Sequence, residues 1–481
     1  MKRLLLPLMM LAAMAQGQVS PFDYGLREAT SGMGRYFALL NAHRAALEKG
    51  CTVDYSGIDT LRIELPPSFT SIPLGPRTDF GGLVVYVTNH AHHGALFALS
   101  GTSTPVTIDK TTVDKGDFTA TDELRSGDKL LVLSDKTPWT ERRGYGYKHY
   151  RADLLMLHNG LSLNAPIAPW DTDSTLLAAA YYDIDTSAKL FRGLTLHRTA
   201  ESTYKTYCLA VSGQCNLLVE QVRVTTPRSR MIADGVFSVV HSARITFRDV
   251  TVEGTYSGYG RTRNYGYAFS LNNVWGAVFE RVQAHGNWGV FGSNNLSHTR
   301  LIDCDLDRFD IHCYGRDAYL RGCTLRQRQT QFSSMYGTVR FDSCLFTDCI
   351  PVRIRSSYNA YTPFDIVMTD CTFRLTPRYH SLVNVMLLDT ADNGRPELRE
   401  KCWPNLRVER MTVVVPWTVG RMNLFHPTGT RAELRRKFGH LARVEVVSPR
   451  MIRPGGAPAS VPIRLSSQEF QTSNPLTYTI E

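Results

Sequence analysis

The chain has 481 residues, 43% of them hydrophobic and 20% charged. That composition excludes a disordered or low-complexity chain and supplies enough apolar surface for a large core. The formal net charge is +10, spread mostly over scattered arginines, which suits either an acidic partner or a surface charged only for solubility.

Residues 1–18 read MKRLLLPLMMLAAMAQGQ. Lys2 and Arg3 precede an apolar run and the small-residue pattern Ala13-Met14-Ala15, which predicts a secretory signal peptide cut after Ala15 or shortly beyond. The expectation is an exported protein, periplasmic or extracellular. No cysteine follows the run, so no lipid anchor is expected, and no later stretch is long enough for a transmembrane helix. In that setting the natural partner of a basic surface is an acidic polysaccharide, not nucleic acid.

Residues 19–101 read as an N-terminal cap and first coils. GRYFALLNAHRAALEKG places Tyr36, Leu39, Leu40 and Leu47 at helical spacing, with His43 on the same stripe and Gly50 at the end. His43 is expected to be a partly buried helix residue. DTLRIELPPSF and GLVVYVTNHA are strand-like. Residues 102–174 change character and predict an inserted small β-subdomain, with strands VTIDKTTV and DKLLVLSD. Its aromatic and basic stretch holds Trp139, Arg142, Arg143, Tyr145, Tyr147, His149, Tyr150 and Arg151. These suit either glycan binding by stacking and charge or one wall of a groove.

Residues 175–416 repeat. LFRGLTL, LVEQVRV, ITFRDVTV, AVFERVQA, RLIDCDL, YLRGCTL, VRFDSCLF, IVMTDCTF and LRVERMTV align on Leu194, Val222, Val250, Val282, Cys304, Cys323, Cys344, Cys371 and Met411. Successive anchors lie 19 to 40 residues apart, the spacing of coils with loops inserted between them. A lone half-buried strand cannot cover its apolar side, whereas stacked coils can. Residues 417–481, with the helix-like RAELRRKFGHLA, are expected to cap the last coil. Among the ten cysteines, the four in the anchor column read as stacked buried thiols. Cys208 with Cys215 is the best disulfide pair and Cys313 with Cys349 a weaker one; no CxxC metal spacing occurs.

These coils, with their interior Cys, Val and Leu ladder and the N-terminal helix, resemble the right-handed parallel β-helix superfold, the pectate-lyase-like group. Asn272, Asn273, Asn294 and Asn295 fall at expected turns, where such helices often use asparagine. The resemblance implies an all-β solenoid and a secreted bacterial protein active on polysaccharides. That superfold carries lyases, hydrolases, esterases, epimerases and phage spikes, so the site must decide the chemistry. A paired-Asp polygalacturonase signature is not evident. The Arg-x-Pro-x-x-Arg pattern is incomplete at Pro227 and Arg230, with Thr225 where the first arginine belongs, which speaks against calcium-dependent pectate lyase chemistry. Spikes usually trimerise through long apolar terminal segments, not found here, which speaks against a phage-spike or adhesin role; a monomer is expected.

The densest polar run is DCDLDRFDIHCYGRD. If Ile311 and Cys313 point inward, alternation sends Asp310, His312 and Tyr314 outward, with Arg316 and Asp317 at the turn. His312, Tyr314 and Arg316 are the catalytic candidates. His285, Asn287, Arg328, Tyr336, Arg353 and Arg355 are the substrate-binding candidates. β-Elimination of a uronic-acid polysaccharide needs a base for the proton beside the sugar carboxylate and cations to hold that carboxylate. His312 or Tyr314 would be the base or the leaving-group acid, and the arginines bidentate carboxylate ligands. No cofactor is required, although Asp303, Asp305, Asp307 and Asp310 would suit calcium or glycosidic hydrolysis. Against this, aspartates at strand ends commonly serve turns, and Asp249 and Asp370 also precede their anchors. A glycoside hydrolase and a non-catalytic glycan-binding solenoid are the alternatives.

Overall fold

The computed structural model describes residues 17–89, 94–142, 147–165, 176–199, 206–225, 236–254, 267–286, 289–326, 330–333, 335–354, 364–387, 404–429, 443–466 and 477–480. Among the described residues one ladder joins 31 strands and a separate sheet holds five. The molecule is a parallel β-helix with an N-terminal capping helix and an inserted β-subdomain.

One coil shows the plan. A front strand, Tyr267–Trp275, turns a corner into a middle strand, Val278–Glu280, which bends into a back strand, Gln283–His285. The next front strand, Gly289–Ile302, stacks on the first with Phe269 against Phe291 and Leu271 against Ser293. A loop of varying length carries each back strand to the next front strand. The loops 348–351, 375–380 and 415–421 lie along one edge, between the back and front faces.

The bend between middle and back strands is one residue wide. Gln221, Asp249, Arg281, Asp303, Ser343, Asp370 and Arg410 hold φ between 51° and 54°, and Gly193 and Gly322 occupy the same place. Each directly precedes an anchor. A left-handed residue turns the chain and resets the alternation. Phe247, Val250 and Val252 all reach the core, while Arg248 and Thr251 do not. The anchors are at most 1% exposed, and their carbonyls accept bonds from the coil above, as in Thr324 N to Cys304 O at 2.8 Å and Leu345 N to Cys323 O at 2.8 Å. Down the same interior runs an aromatic stack in which Phe247 and Phe279 lie 5.1 Å apart and nearly parallel.

Cys304, Cys323, Cys344 and Cys371 are buried free thiols in the anchor column. The Cys304 thiol donates to the carbonyls of Ile302 at 3.3 Å and Phe279 at 3.4 Å. The expected Cys208–Cys215 disulfide does not form: both are free. Cys208 faces the main core from the strand Thr206–Ser212, where burial pushes its thiol up to about 12, whereas Cys215 packs under the inserted subdomain. Cys349 is also a free thiol; the Cys313 side chain lies outside the described residues.

Helix α1, Gly32–Lys49, closes the first coil. The Ser31 hydroxyl accepts from Gly34 N at 3.0 Å, and Gly50 ends the helix in the left-handed conformation. Tyr36, Leu39 and Leu40 join the main core, but Leu47, expected on the same stripe, is 42% exposed in the last turn. His43 is buried, and its Nε2 lies 2.5 Å from the Tyr55 hydroxyl.

The insertion is an antiparallel sheet of Thr104–Asp109, Asp128–Arg142, Tyr147–His158, Leu161–Ser162 and Leu176–Asp183. It has its own core around Phe118, Leu131 and Leu155. Leu130, Leu154 and Met156 on its other face pack against Ala243 and Cys215 of the solenoid. Its last strand begins at Leu176, where the first repeating coil was expected; that coil begins instead with Lys189–Arg198. Period-2 alternation is the same in both sheets, so it cannot tell them apart. The parallel ladder also passes Pro416, through Met422–Gly429, Arg443–Val447 and Thr477–Ile480. The helix-like segment 431–442 lies outside the described residues, as do residues 1–16 of the expected signal peptide. No helix among the described residues is long and apolar enough to cross a membrane.

Candidate functional site

The front face carries a column of residues that point away from the core, one per coil. Register places Ala98, Ala210, Ser238, Ser270 and then Gly292 in line. Beyond these small residues the column continues as Asp310, Gln331, Arg353, Asn384 and His426. Small side chains thus give way to five consecutive polar ones, on the face flanked by the loop edge. Rungs lie about 4.8 Å apart, so Arg353 stands about 10 Å along the column from Asp310.

Asp310 is the most enclosed member, with no exposed surface, although it faces away from the core. Arg308, 2% exposed, pairs with its Oδ2. The same guanidinium donates through Nη2 to Gln331 Oε1 at 2.9 Å. His312 Nε2 lies 3.1 Å from Asp310 Oδ2. A carboxylate only accepts, so Nε2 is a protonated nitrogen in this contact. The Tyr267 ring meets His312 edge-on with centroids 6.1 Å apart.

His312 owes its placement to a bulge. Ser293 pairs with Ile311 and the next residue, Asn294, pairs with Cys313, leaving His312 as the extra residue. Bulges re-aim side chains and often border active sites. The inward half of the expected alternation holds at Ile311, which is fully buried in the main core. It fails at Tyr314. That residue has φ 56° and a side chain only 3% exposed, so it forms the corner and does not face outward beside His312. Asn273 and Asn295 occupy the same corner with φ 55° and 52°. Asn295 Nδ2 donates to Asn273 Oδ1 at 2.8 Å and Asn294 Nδ2 to Asn272 Oδ1 at 2.9 Å, so the asparagines are a turn ladder.

The other candidates separate. Arg316 opens the next middle strand, past the corner, and pairs in register with Tyr336; both lie around the corner from His312. His285 stands on a back strand with Asp307 Oδ1 3.1 Å from its Nδ1, a contact that raises its pKa, and Asp305 Oδ1 3.8 Å from its Nε2. Asp305 is also held by Arg326 at 2.6 and 2.8 Å. The structure therefore brings together His312 and Arg353 of the expected set. Asn287, Arg328 and Arg355 lie outside the described residues. Arg308, Gln331, Asn384 and His426 were not singled out from sequence. Aligning the front strands on their inward residues would have exposed the column, since the inward Ile311, Phe332 and Ile354 stand next to it.

Asp303 is exposed at the bend and Asp307 accepts from Gly286 N at 2.8 Å, so the clustered aspartates serve turns and cross-coil ties. Among the described residues no group of three or more His, Cys, Asp or Glu side chains is arranged to hold a metal ion.

No family model and no curated protein matches the chain. Solved structures do. The tailspike protein gp49 from Pseudomonas phage LKA1 is 12% identical, with a TM-score of 0.55 over 96% of this chain and 79% of its own. The Gp54 tailspike of Acinetobacter baumannii bacteriophage AP22, solved in complex with A. baumannii capsular saccharide, is 10% identical, with a TM-score of 0.51 over 96% and 73%. The tailspike gp61 of Pseudomonas phage phi297 is 11% identical, with a TM-score of 0.46 over 93% and 84%. At such identities the first two likenesses establish the fold, the parallel β-helix, which this chain shares.

Proposed function

We propose that the protein is an exported carbohydrate-active enzyme that cleaves an acidic, uronic-acid polysaccharide by β-elimination on its front face. The observation that carries the reading is the buried Asp310 carboxylate held against His312 on a column that also presents Arg353. A base backed by a carboxylate and a cation along the same column are the two components elimination requires.

In this reading the Asp310 carboxylate fixes the imidazole tautomer and stabilises the imidazolium that forms. His312 Nδ1 removes the proton from the carbon beside the sugar carboxylate. Arg353 holds that carboxylate while negative charge moves onto it. The electron pair of the broken C–H bond becomes a carbon–carbon double bond as the glycosidic oxygen departs with the electrons of the C–O bond and takes a proton from water. Arg308, tied to Asp310 and Gln331, holds the carboxylate in place.

The test is ultraviolet absorbance of the unsaturated product on polygalacturonate, alginate and hyaluronate. Activity on at least one is expected, lost in His312→Ala and cut at least about a hundredfold in Asp310→Asn. New reducing ends without absorbance would replace elimination by hydrolysis. A second reading, binding without cleavage, draws support from the saccharide complex of the Acinetobacter phage spike that shares the fold, and binding with neither signal would establish it.

A further inference from the structure

A second site lies on the back face of the last described coils. The outward column there runs Thr347, Arg374, Val414 and Ile452. With the turn that follows Ile452 it lines a cleft of about 530 Å³. Arg374 is exposed in this cleft and has no hydrogen-bond, ion-pair or ring partner among the described residues. Exposed arginines at or next to the bend differ: Arg192, Arg281 and Arg410 each grip a carboxylate of a neighbouring coil. Asp348 also lines the cleft, so the site is not uniformly cationic.

Trp417 stands beside the cleft and is 77% exposed, the most exposed large apolar side chain among the described residues. It is held in place. Arg453, which lines the cleft, donates through Nη1 to Val415 O at 3.3 Å and Pro416 O at 3.1 Å. Its guanidinium lies 4.4 Å over the indole centroid. One indole face is thus backed by a fixed cation and the rest is offered to solvent. A flat aromatic beside an exposed guanidinium suits a sugar acid: the ring's C–H face stacks on the indole and the carboxylate takes the bidentate fork.

The placement matters. Leu375 and Pro416 line the cleft at the start of loops that lead to Ser381–Leu387 and Met422–Gly429. Those front strands carry Asn384 and His426 of the polar column. The cleft and the column lie on two sides of the same loops. We propose that the cleft is an accessory saccharide subsite, in which Arg374 and Trp417 grip an acidic unit of a polymer away from the reacting bond. The inference rests on the reading that the substrate is a uronic-acid polymer.

The test uses the full chain in native gels cast with polygalacturonate, alginate or hyaluronate, with dextran as the neutral comparison. Arg374→Gln and Trp417→Ala sit at exposed positions and should keep the wild-type melting curve. Each should weaken retardation by the uronate polymers roughly tenfold in dissociation constant, with dextran unchanged. His312→Ala should abolish product while keeping retardation. Wild-type retardation in both cleft variants overturns the subsite alone. Cleft-dependent retardation without absorbance overturns the elimination reading and leaves the subsite standing. A wild-type protein retarded by none of the uronate polymers overturns the subsite, and one that also gives no absorbance on any of them overturns both.

Discussion

At the scale of the residue, the left-handed bend is the feature on which the coil depends. Only glycine adopts that conformation without steric cost, yet aspartate, arginine, glutamine and serine hold it in most coils. Asp249 with Arg281, and Asp370 with Arg410, turn the bend column into cross-coil ion pairs at 2.7 to 2.8 Å. Such exposed pairs contribute little each; the backbone constraint matters more. At Gly322, φ is 62° and an added Cβ would lie 2.3 Å from Asp303 Oδ1. Gly322→Ala should therefore destabilise by about 1–2 kcal/mol, read as a lower denaturant midpoint. Gly420→Ala, where a Cβ meets nothing, should be neutral within about 0.5 kcal/mol. A Gly322→Ala midpoint equal to wild type would mean the bend carries no strain. The anchors were legible because their burial repeats in sequence. The corner at Tyr314 was not: a single left-handed residue leaves no periodic trace, and alternation carried through it pointed a buried side chain outward.

At the scale of the element, helix α1 shows how a cap acquires a pH dependence. Its apolar stripe was legible from spacing, and His43 was expected on it as a partly buried residue. Burial is complete enough to lower the His43 pKa to about 3, and it raises that of Tyr55 as well. The unfolded chain binds a proton at His43 near pH 6.5 and the folded chain does not until about 3. The stabilisation is thus fully present above about pH 6.5 and is lost as pH falls toward 3. Replacing both members, His43→Phe with Tyr55→Phe, leaves no orphaned hydroxyl and should flatten the acid limb of a stability–pH profile across that window. An unchanged acid limb would assign the loss to carboxylates instead. Front strands were less legible than back strands for a related reason: their pairing is interrupted by the His312 bulge and by loops of unequal length, so the polar column does not recur at a fixed spacing.

At the scale of the whole molecule, one continuous core runs from Leu26 to Val461, and each coil touches mainly its neighbours. In such a solenoid, bracing one stretch protects the coils next to it most. The first coil is closed by α1, and the inserted subdomain docks on the corner of the early coils, where Arg244 pairs with Asp128 at 2.9 Å and the Tyr182 hydroxyl meets His241 Nδ1 at 2.8 Å. These two attachments clamp the N-terminal half. The anchor thiols report the consequence, since Cys304, Cys323, Cys344 and Cys371 lie progressively farther from the clamped half and none is exposed. A buried thiol reacts only through opening. Under native conditions, labelling mapped by mass spectrometry should therefore find Cys51, the one partly exposed thiol among the described residues, modified before the four anchors. The four anchors should follow far more slowly, in the order Cys371, Cys344, Cys323, Cys304. Equal rates at all four would mean that the solenoid opens as one cooperative unit, and the early coils would then gain no local protection from the insertion. A graded series would assign the insertion a mechanical part in keeping the coils beneath Asp310 and His312 in register.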